Sequence, residues 1–257
     1  MGATGCDDAP LIEIIKPISN EWNLVTMIYP YYDNPRFLAR QIRMWNAWPV
    51  AVRRFVSLIV VDDCSPGWPA AEVFSQHFAL PFYTRLFRTD KDVRWNWLAA
   101  RNIGAYHAGD GWLLLTDMDH VVPVESMRWL TLGEFREDTI YRFSRTERRE
   151  NPIHPHPNSW FMTRAMFWKV GGYDERMSGY YGSDGYYRRR CAATAPIRIM
   201  SNVTLDRFEH DGDSSTIRYK RKQAEDAKLR PLVRSFPPGS KPLTLSFPYH
   251  EEDLSCS

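Results

Sequence analysis

The chain has 257 residues, 44% of them hydrophobic, and its 33 basic and 31 acidic side chains leave a net charge of +2. That is enough apolar material for one large domain, or a domain with an appendage, and too even a balance for a polycation. No apolar run reaches the length of a membrane span, and Leu11 to Ile18 is broken by Glu13, Lys16 and Pro17, too short and interrupted for a signal peptide, so a soluble, cytoplasmic protein is expected.

In chain order, Leu24 to Tyr29 is a β-branched and aromatic run and reads as a first strand. It ends in the turn chemistry of Pro30-Tyr31-Tyr32-Asp33-Asn34-Pro35. Asn34 is placed to cap a helix that Pro35 opens, and Leu38, Ile42 and Trp45 recur at helical spacing. Phe55 to Val61 predicts a buried second strand stopping at Asp62-Asp63, and Tyr83 to Arg88 a third. Asn96 is read as the cap of a helix over 97–108, which stops at Gly109-Asp110-Gly111. Trp112 to Thr116 is apolar throughout, as a strand covered on both faces is, and runs straight into Asp117-Met118-Asp119-His120. Strands alternating with helices argue for an α/β protein with helices on both faces of a parallel sheet.

The second half reads differently. Thr139 to Phe143 is a strand, Ser144 to Asn158 a long Pro- and His-containing loop, and Ser159 to Thr163 a return to the sheet. A short helix over 164–170 ends at Gly171-Gly172, a helix covers 186–193, a strand 197–203 and a charged helix 220–230. From Ser235 onward Pro and Ser dominate, which predicts an extended or disordered arm. There is no internal repeat. Cys6, Cys64, Cys191 and Cys256 are scattered without a CxxC pair, so neither a zinc knuckle nor a disulfide framework is indicated.

Four places carry chemistry, each beside a plainer alternative. Asp62-Asp63 ends a strand, where a carboxylate accepts from a ribose hydroxyl or base N–H, or serves as a turn or helix cap. Asp117 and Asp119 end another, and two oxygen ligands there suit a hard cation, Mn²⁺ or Mg²⁺. The alternative pairs them with an arginine such as Arg128. Gly171-Gly172-Tyr173-Asp174-Glu175 and Gly179-Tyr180-Tyr181-Gly182-Ser183-Asp184-Gly185 place acids among glycines that allow close approach of a ligand. Asp184 is there a general base or an N-cap. His210, amid Glu209, Asp211 and Asp213, is a third metal ligand or an ordinary surface histidine. A cation at such a strand end serves a phosphate, so the substrate reads as a nucleotide or a nucleotide-activated group.

Taken together, the Pro/Tyr loop after the first strand, Asp62-Asp63, Ala100-Arg101-Asn102-Ile103-Gly104, Asp117-Met118-Asp119 and the Gly-Gly-Tyr-Asp-Glu block resemble, in order and spacing, the family 2 glycosyltransferases of GT-A fold. The stretch from Trp168 to Asp184 also resembles the carboxyl-terminal motif of the galactosyltransferase and polypeptide N-acetylgalactosaminyltransferase group. The resemblance covers roughly Leu24 to Ser215. It implies a Rossmann-like, mixed and mostly parallel sheet flanked by helices in a single domain over 20–215, with a nucleotide-binding half at 20–120 and an acceptor-binding half at 121–215. A carboxyl-terminal helix and tail over 216–257 extend it.

The resemblance also implies roles. Pro30, Tyr31 and Asp33 match the loop around the nucleotide, Asp62 the contact to base or ribose, and Arg101 the arginine near the nucleotide. Asp117 and Asp119 match the metal motif, with Asp119 the direct ligand, His210 the late metal-binding histidine, and Asp184 the base of inverting members. Trp160, Tyr180, Tyr181 and Ser183 are the expected acceptor contacts. The chain departs from the family at Ser183, where glutamate is usual, and at Trp95-Asn96-Trp97, where a glycine is common. The implied activity is metal-dependent transfer from a nucleotide sugar, most commonly a UDP-sugar, to an acceptor hydroxyl with inversion. Arg145, Arg148, Arg149, Arg188, Arg189, Arg190, Lys220, Arg221, Lys222, Lys228, Arg230 and Arg234 form either a track for a polyanion or a solvated face interleaved with Glu147, Glu150, Glu225 and Asp226. The expected acceptor is accordingly a glycan or a hydroxymethylated pyrimidine in DNA, as in small phage enzymes. The alternatives are a nucleotide-sugar-binding protein without transferase activity and a sugar nucleotidyltransferase. The latter is disfavoured because no Gly-rich phosphate loop follows the first strand.

Overall fold

The computed structural model describes residues 24–77, 82–147, 151–153, 155–180, 182–208, 223–235 and 245–254. Leu11 to Ile18, Tyr181, His210 and Lys220 lie outside them. In chain order the elements are β1 (Val25–Tyr31), α1 (Pro35–Asn46), α2 (Val50–Arg53), β2 (Val56–Asp62), α3 (Ala70–Ser75), β3 (Thr84–Thr89), α4 (Trp97–His107), β4 (Trp112–Leu115), β5 (His120–Val121), α5 (Val124–Leu132) and β6 (Ile140–Glu147). They continue with β7 (Asn151–Ile153), β8 (Trp160–Thr163), α6 (Arg164–Val170), a 3₁₀ turn (Glu175–Met177), α7 (Asp184–Thr194), β9 (Ile197–Arg207), α8 (Gln223–Ser235) and β10 (Tyr249–Glu252). The strands form one ten-stranded mixed sheet in the order β10-β3-β2-β1-β4-β8-β6-β9-β5, with β7 paired to β6. The run β3-β2-β1-β4 is parallel, so the carboxyl ends of these four strands open on one edge, where ligands bind in such sheets.

Alternation along the strands splits the core into two layers. Val25, Met27, Tyr29 and Tyr31 of β1 face one side, packed with Leu38, Ile42 and Trp45 of α1, Phe74 of α3 and Leu130 of α5. Ile28 faces the other, with Leu98 and Ile103 of α4, Phe167 of α6, Tyr187 of α7 and Leu229 of α8. Helices thus cover both faces. α1 begins as its sequence dictates: Asn34 accepts from the Phe37 amide at 3.2 Å and Pro35 fills the first position. α6 stops at Gly171, whose φ of 101° is left-handed. α4 lies hard on β1, because a Cβ on Gly104 would come within 2.4 Å of Ile28 Cγ2.

Three expectations are corrected. The stretch 144–158 is not one long loop: β6 continues to Glu147 and β7 folds back on it antiparallel. The stretch after Ser235 is not simply an arm, since Tyr249–Glu252 adds β10 antiparallel to β3. A bidentate Arg85–Glu251 pair at 2.7 and 2.8 Å clamps this edge. Finally, Asn96 occupies the N-cap position of α4 without a side-chain capping bond; the Asp63 carboxylate takes the Asn96 amide instead, at 3.0 Å.

Candidate active site

The two carboxylate pairs expected from sequence both stand at the open edge, and the fold uses them differently. Asp62 is buried, and both its oxygens are taken: Oδ1 accepts from the Ser65 amide (2.7 Å), Oδ2 from the Ala70 amide (2.7 Å) and Arg88 Nη1 (3.1 Å). The Ala70 amide is the first of α3, so Asp62 caps that helix from the neighbouring strand. Asp63 is also buried, holding the head of α4 through Asn96 and accepting from Thr89 Oγ1 at 3.4 Å. Burial pushes its carboxyl up to about 8, against the opposing pull of Asn96 and Thr89. The described hydrogen bonds of Asp62 build the rim.

Asp117 and Asp119 follow β4 with side chains 29% and 22% exposed. Asp117 is paired with Arg101 rather than with Arg128, which lies beside Glu125. The explanation is in the sequence Ala100-Arg101-Asn102-Ile103-Gly104 on α4. Arg101, fully buried, donates from Nη2 to Asp117 Oδ1 (2.5 Å) and from Nη1 to Tyr173 Oη (2.9 Å) and the Asn158 carbonyl (2.5 Å). Asn102 donates to the Tyr173 carbonyl (2.9 Å) and Glu175 Oε1 (2.8 Å) and accepts from the Tyr173 amide (2.8 Å). One helix face thus ties the Asp-x-Asp turn to the Gly-Gly-Tyr-Asp-Glu block. Burial raises the Asp117 carboxyl and Arg101 draws it back down.

Two histidines complete the cluster, and neither was singled out from sequence. His120 Nδ1 lies 2.7 Å from Asp119 Oδ1. His156 Nε2 lies 3.5 Å from Asp117 Oδ2. The rings are 4.0 Å apart between centroids. Gln41, fully buried on α1, fixes the turn by donating to the Met118 (3.1 Å) and His120 (2.6 Å) carbonyls. Burial pulls His156 down to about 2, with the neighbouring His120 adding to it, so the imidazole is neutral at ordinary pH. The sequence signal for His156 was composition: His154-Pro155-His156-Pro157 reads as turn material, and only the return strand β8 brings it beside Asp117.

The remaining expected residues divide. Asp33 is exposed on the rim with a left-handed φ of 45°. Its Oδ1 holds the Gly67 (3.2 Å) and Trp68 (2.6 Å) amides. Pro30 is half-buried within β1. Tyr31 is buried, its hydroxyl donating to the Trp68 carbonyl at 2.6 Å. Trp160, an expected acceptor contact, is fully buried, edge-on to Tyr187 at 5.6 Å, with Arg142 over its ring at 4.7 Å. Ser183 is also buried and so is not open to an acceptor. Asp174 caps the 3₁₀ turn through the Arg176 amide at 3.1 Å. Tyr180 is half-buried against the second core layer. Asp184 is half-buried in the first turn of α7. Asp184 and Arg188 both act electrostatically on Arg142, whose Nη2 donates to the Pro155 (3.1 Å) and His156 (2.8 Å) carbonyls.

The donors at this turn are of the chemical kind that binds hard divalent cations. They consist of two carboxylates and two imidazoles, and His120 Nε2 and Asn158 Oδ1 are buried with no hydrogen-bond partner among the described residues. Among those residues no group of three or more His, Cys, Asp or Glu side chains is placed to hold a metal ion. Ions that work on phosphates take few protein ligands and complete their shell from substrate oxygens. No helix among the described residues is long and apolar enough to cross a membrane.

No protein-family model and no curated protein matches the sequence. Solved structures do. S. aureus TarS 1–349 in complex with UDP-GlcNAc is similar at 12% identity over 86% of this chain and 68% of that one, with a TM-score of 0.65. GalNAc-T7 with UDP, GalNAc and Mn²⁺ is similar at 13% identity over 75% and 45% of the two chains, TM-score 0.59. The mannosyltransferase PcManGT from Pyrobaculum calidifontis, in complex with GDP-Man and Mn²⁺, is similar at 14% identity over 76% and 59%, TM-score 0.57. Against a further TarS 1–349 structure the chain spans 60% of that chain's length. At these identities the likeness is one of fold, and the chain carries the mixed α/β GT-A glycosyltransferase fold.

Proposed function

We propose that the chain transfers a sugar from a nucleotide-sugar donor, a UDP-sugar by preference, to an acceptor hydroxyl with inversion at the anomeric carbon. The observation that carries this reading is the Asp117–Asp119 turn at the carboxyl end of β4, locked by Arg101 from α4 and flanked by His120 and His156. That neighbours of this fold were solved with UDP-GlcNAc, or with UDP or GDP-Man and Mn²⁺, supports it. Asp119 and Asp117 would hold Mn²⁺ or Mg²⁺, with His210 a further candidate ligand; the bound cation supplies Lewis-acid neutralisation of the departing diphosphate.

The chain's own residues do the rest. Asp33, Gly67 and Trp68 shape the rim where the nucleoside lies. Arg101 keeps Asp117 aimed and places a buried positive charge behind it. Asp184 takes the proton of the acceptor hydroxyl as the new bond forms. Arg188, one helical turn on from Asp184, and Arg189 are exposed on α7 and would guide an acceptor carrying negative charge, of which a modified pyrimidine in DNA and an anionic glycan are the two forms in view. Salt-sensitive binding of duplex DNA separates them. Asp184→Asn tests the base: transfer falls about 10²- to 10⁴-fold while donor binding by calorimetry is unchanged. Full transfer in that variant overturns the assignment.

A further inference from the structure

Glu175 is the buried last residue of the Gly-Gly-Tyr-Asp-Glu block, and both its oxygens are taken. Oε1 accepts from Asn102 Nδ2 at 2.8 Å and Oε2 from the Ser246 amide at 2.6 Å. One donor stands on α4 and the other just before β10. Two N–H donors need two acceptors, so the position calls for a carboxylate; a glutamine would turn its own N–H₂ toward one of them. Burial raises the Glu175 carboxyl, and the Asn102 and Ser246 bonds draw it back down. The carboxyl-terminal part of the chain grips the same turn a second time, where Arg176 Nη2 donates to the Leu232 carbonyl of α8 at 3.2 Å. Beyond Ser246 the chain is anchored. Tyr249 Oη lies 2.8 Å from His107 Nε2 at the end of α4, and Tyr249–Glu252 pairs with β3.

The block that Glu175 closes joins the two halves of the site. Asn102 holds Tyr173 by its amide and its carbonyl. The Tyr173 hydroxyl accepts from Arg101, which also holds Asp117. The Tyr173 ring stacks on Tyr187 of α7, 3.8 Å between centroids and 19° between planes, and Asp184 opens that helix. We infer that residues 245–252 are a strap that sets the block between the Asp-x-Asp turn and α7, with Glu175 the positioning residue through which it acts. This rests on the proposed transferase reading. It goes further in making a segment that reads as an appendage part of the construction of the site. The rim at Asp33, Gly67 and Trp68 is held by bonds of its own. The strap therefore bears on turnover and not on nucleotide affinity.

The test is hydrogen–deuterium exchange of the full chain read by mass spectrometry. It is run beside calorimetry of UDP and GDP with Mn²⁺, and steady-state release of nucleotide from UDP-GlcNAc, UDP-GalNAc and GDP-mannose. Wild type is compared with Glu175→Gln and Ser246→Pro, which each break the link, and with Tyr249→Phe, which loses only the contact with His107. In both link variants the amides of 173–177 and of α7 should exchange about tenfold faster or more, while β1, β2 and β4 keep wild-type rates. Their kcat should fall about tenfold or more, the scale on which small misplacements act, with KM and nucleotide affinity within about threefold of wild type. Tyr249→Phe should match wild type. Where one link variant fails to fold, the other decides, and where nucleotide binds but no donor turns over, exchange decides. Faster exchange confined to 245–252, or spread evenly over the whole sheet, overturns the inference and leaves the proposed function standing. So does a loss that falls on nucleotide affinity with kcat unchanged. Wild type that neither binds UDP or GDP nor turns over any of the three donors overturns the proposed function, and this inference with it.

Discussion

Two pairs of aspartates end two strands of the same parallel run, β2 and β4, and the fold treats them in opposite ways. Asp62 and Asp63 are buried and bonded chiefly to backbone amides, among them those at the heads of α3 and α4. Asp117 and Asp119 are a quarter exposed, and their described partners are largely side chains: Arg101, Asn158, His120 and His156. A carboxylate spent on amides of its own fold is architecture, since those bonds cannot be exchanged for a ligand without unmaking a helix start. A carboxylate held by side chains and open to solvent can change partners. The same sequence signal, an apolar strand ending in acids, therefore marks both a rim and a site.

The sharpest way to break this contrast is to exchange the pairs' losses. Asp119→Ala should remove Mn²⁺-dependent nucleotide binding and, through several kcal/mol of lost charge stabilisation, lower transfer about 10³-fold or more. Its urea-unfolding midpoint should barely move. A variant that unfolds early instead would make Asp119 structural.

Asp62→Ala should do the reverse. Three donors, the Ser65 and Ala70 amides and Arg88, lose their acceptor. The cost is about 3 kcal/mol of stability, read from denaturant unfolding, with nucleotide affinity of the folded fraction nearly unchanged. Loss of affinity without loss of stability would make Asp62 a donor contact.

Asp63 sharpens the contrast through pH. Its folded carboxyl is raised to about 8, above the unfolded value of 3.8, so the folded chain binds more protons between the two. By linkage, Asp63's contribution to stability then declines as pH rises from about 4 to 8. Asp63→Asn removes that slope, so its stability relative to wild type should improve between pH 5 and pH 8 by about 1 kcal/mol or more. Parallel stability profiles for the two proteins would show that Asp63 is ionised throughout.

Much of this was legible in the residues. Apolar runs located β1, β2 and β4, and Asn34-Pro35 and Gly171-Gly172 marked a helix start and a helix stop, because those signals are local. What was hidden depends on distant partners. Asp62 acts on amides three and eight residues on, Arg101 on atoms from three other segments, and His156 lies in turn-like sequence that only the pairing of β8 with β4 brings home. β10 was missed because Tyr249-His250-Glu251-Glu252 is a polar edge strand, half-buried at its two ends and exposed between, with no apolar run to announce it. The burial of Trp160 was hidden for the opposite reason: aromatic residues serve cores and sugar platforms alike, so the residue type announced neither.

The smallest test compares the two arginines. Each strand-end pair has one, Arg88 on Asp62 and Arg101 on Asp117, but Arg88 is 21% exposed on its side chain and Arg101 not at all. Arg88→Met removes one of three donors to Asp62 and leaves both amides in place. Water can reach the vacated position, and the methionine stem keeps the packing of the arginine chain. The expected loss is about 1 kcal/mol or less, a shift of a few degrees in thermal midpoint, with Mn²⁺ and nucleotide binding intact. Such tolerance would locate the holding power over Asp62 in the two amides. A loss several times larger would move it to the ion pair, and Asp62 would then resemble Asp117 more than its burial and backbone partners imply.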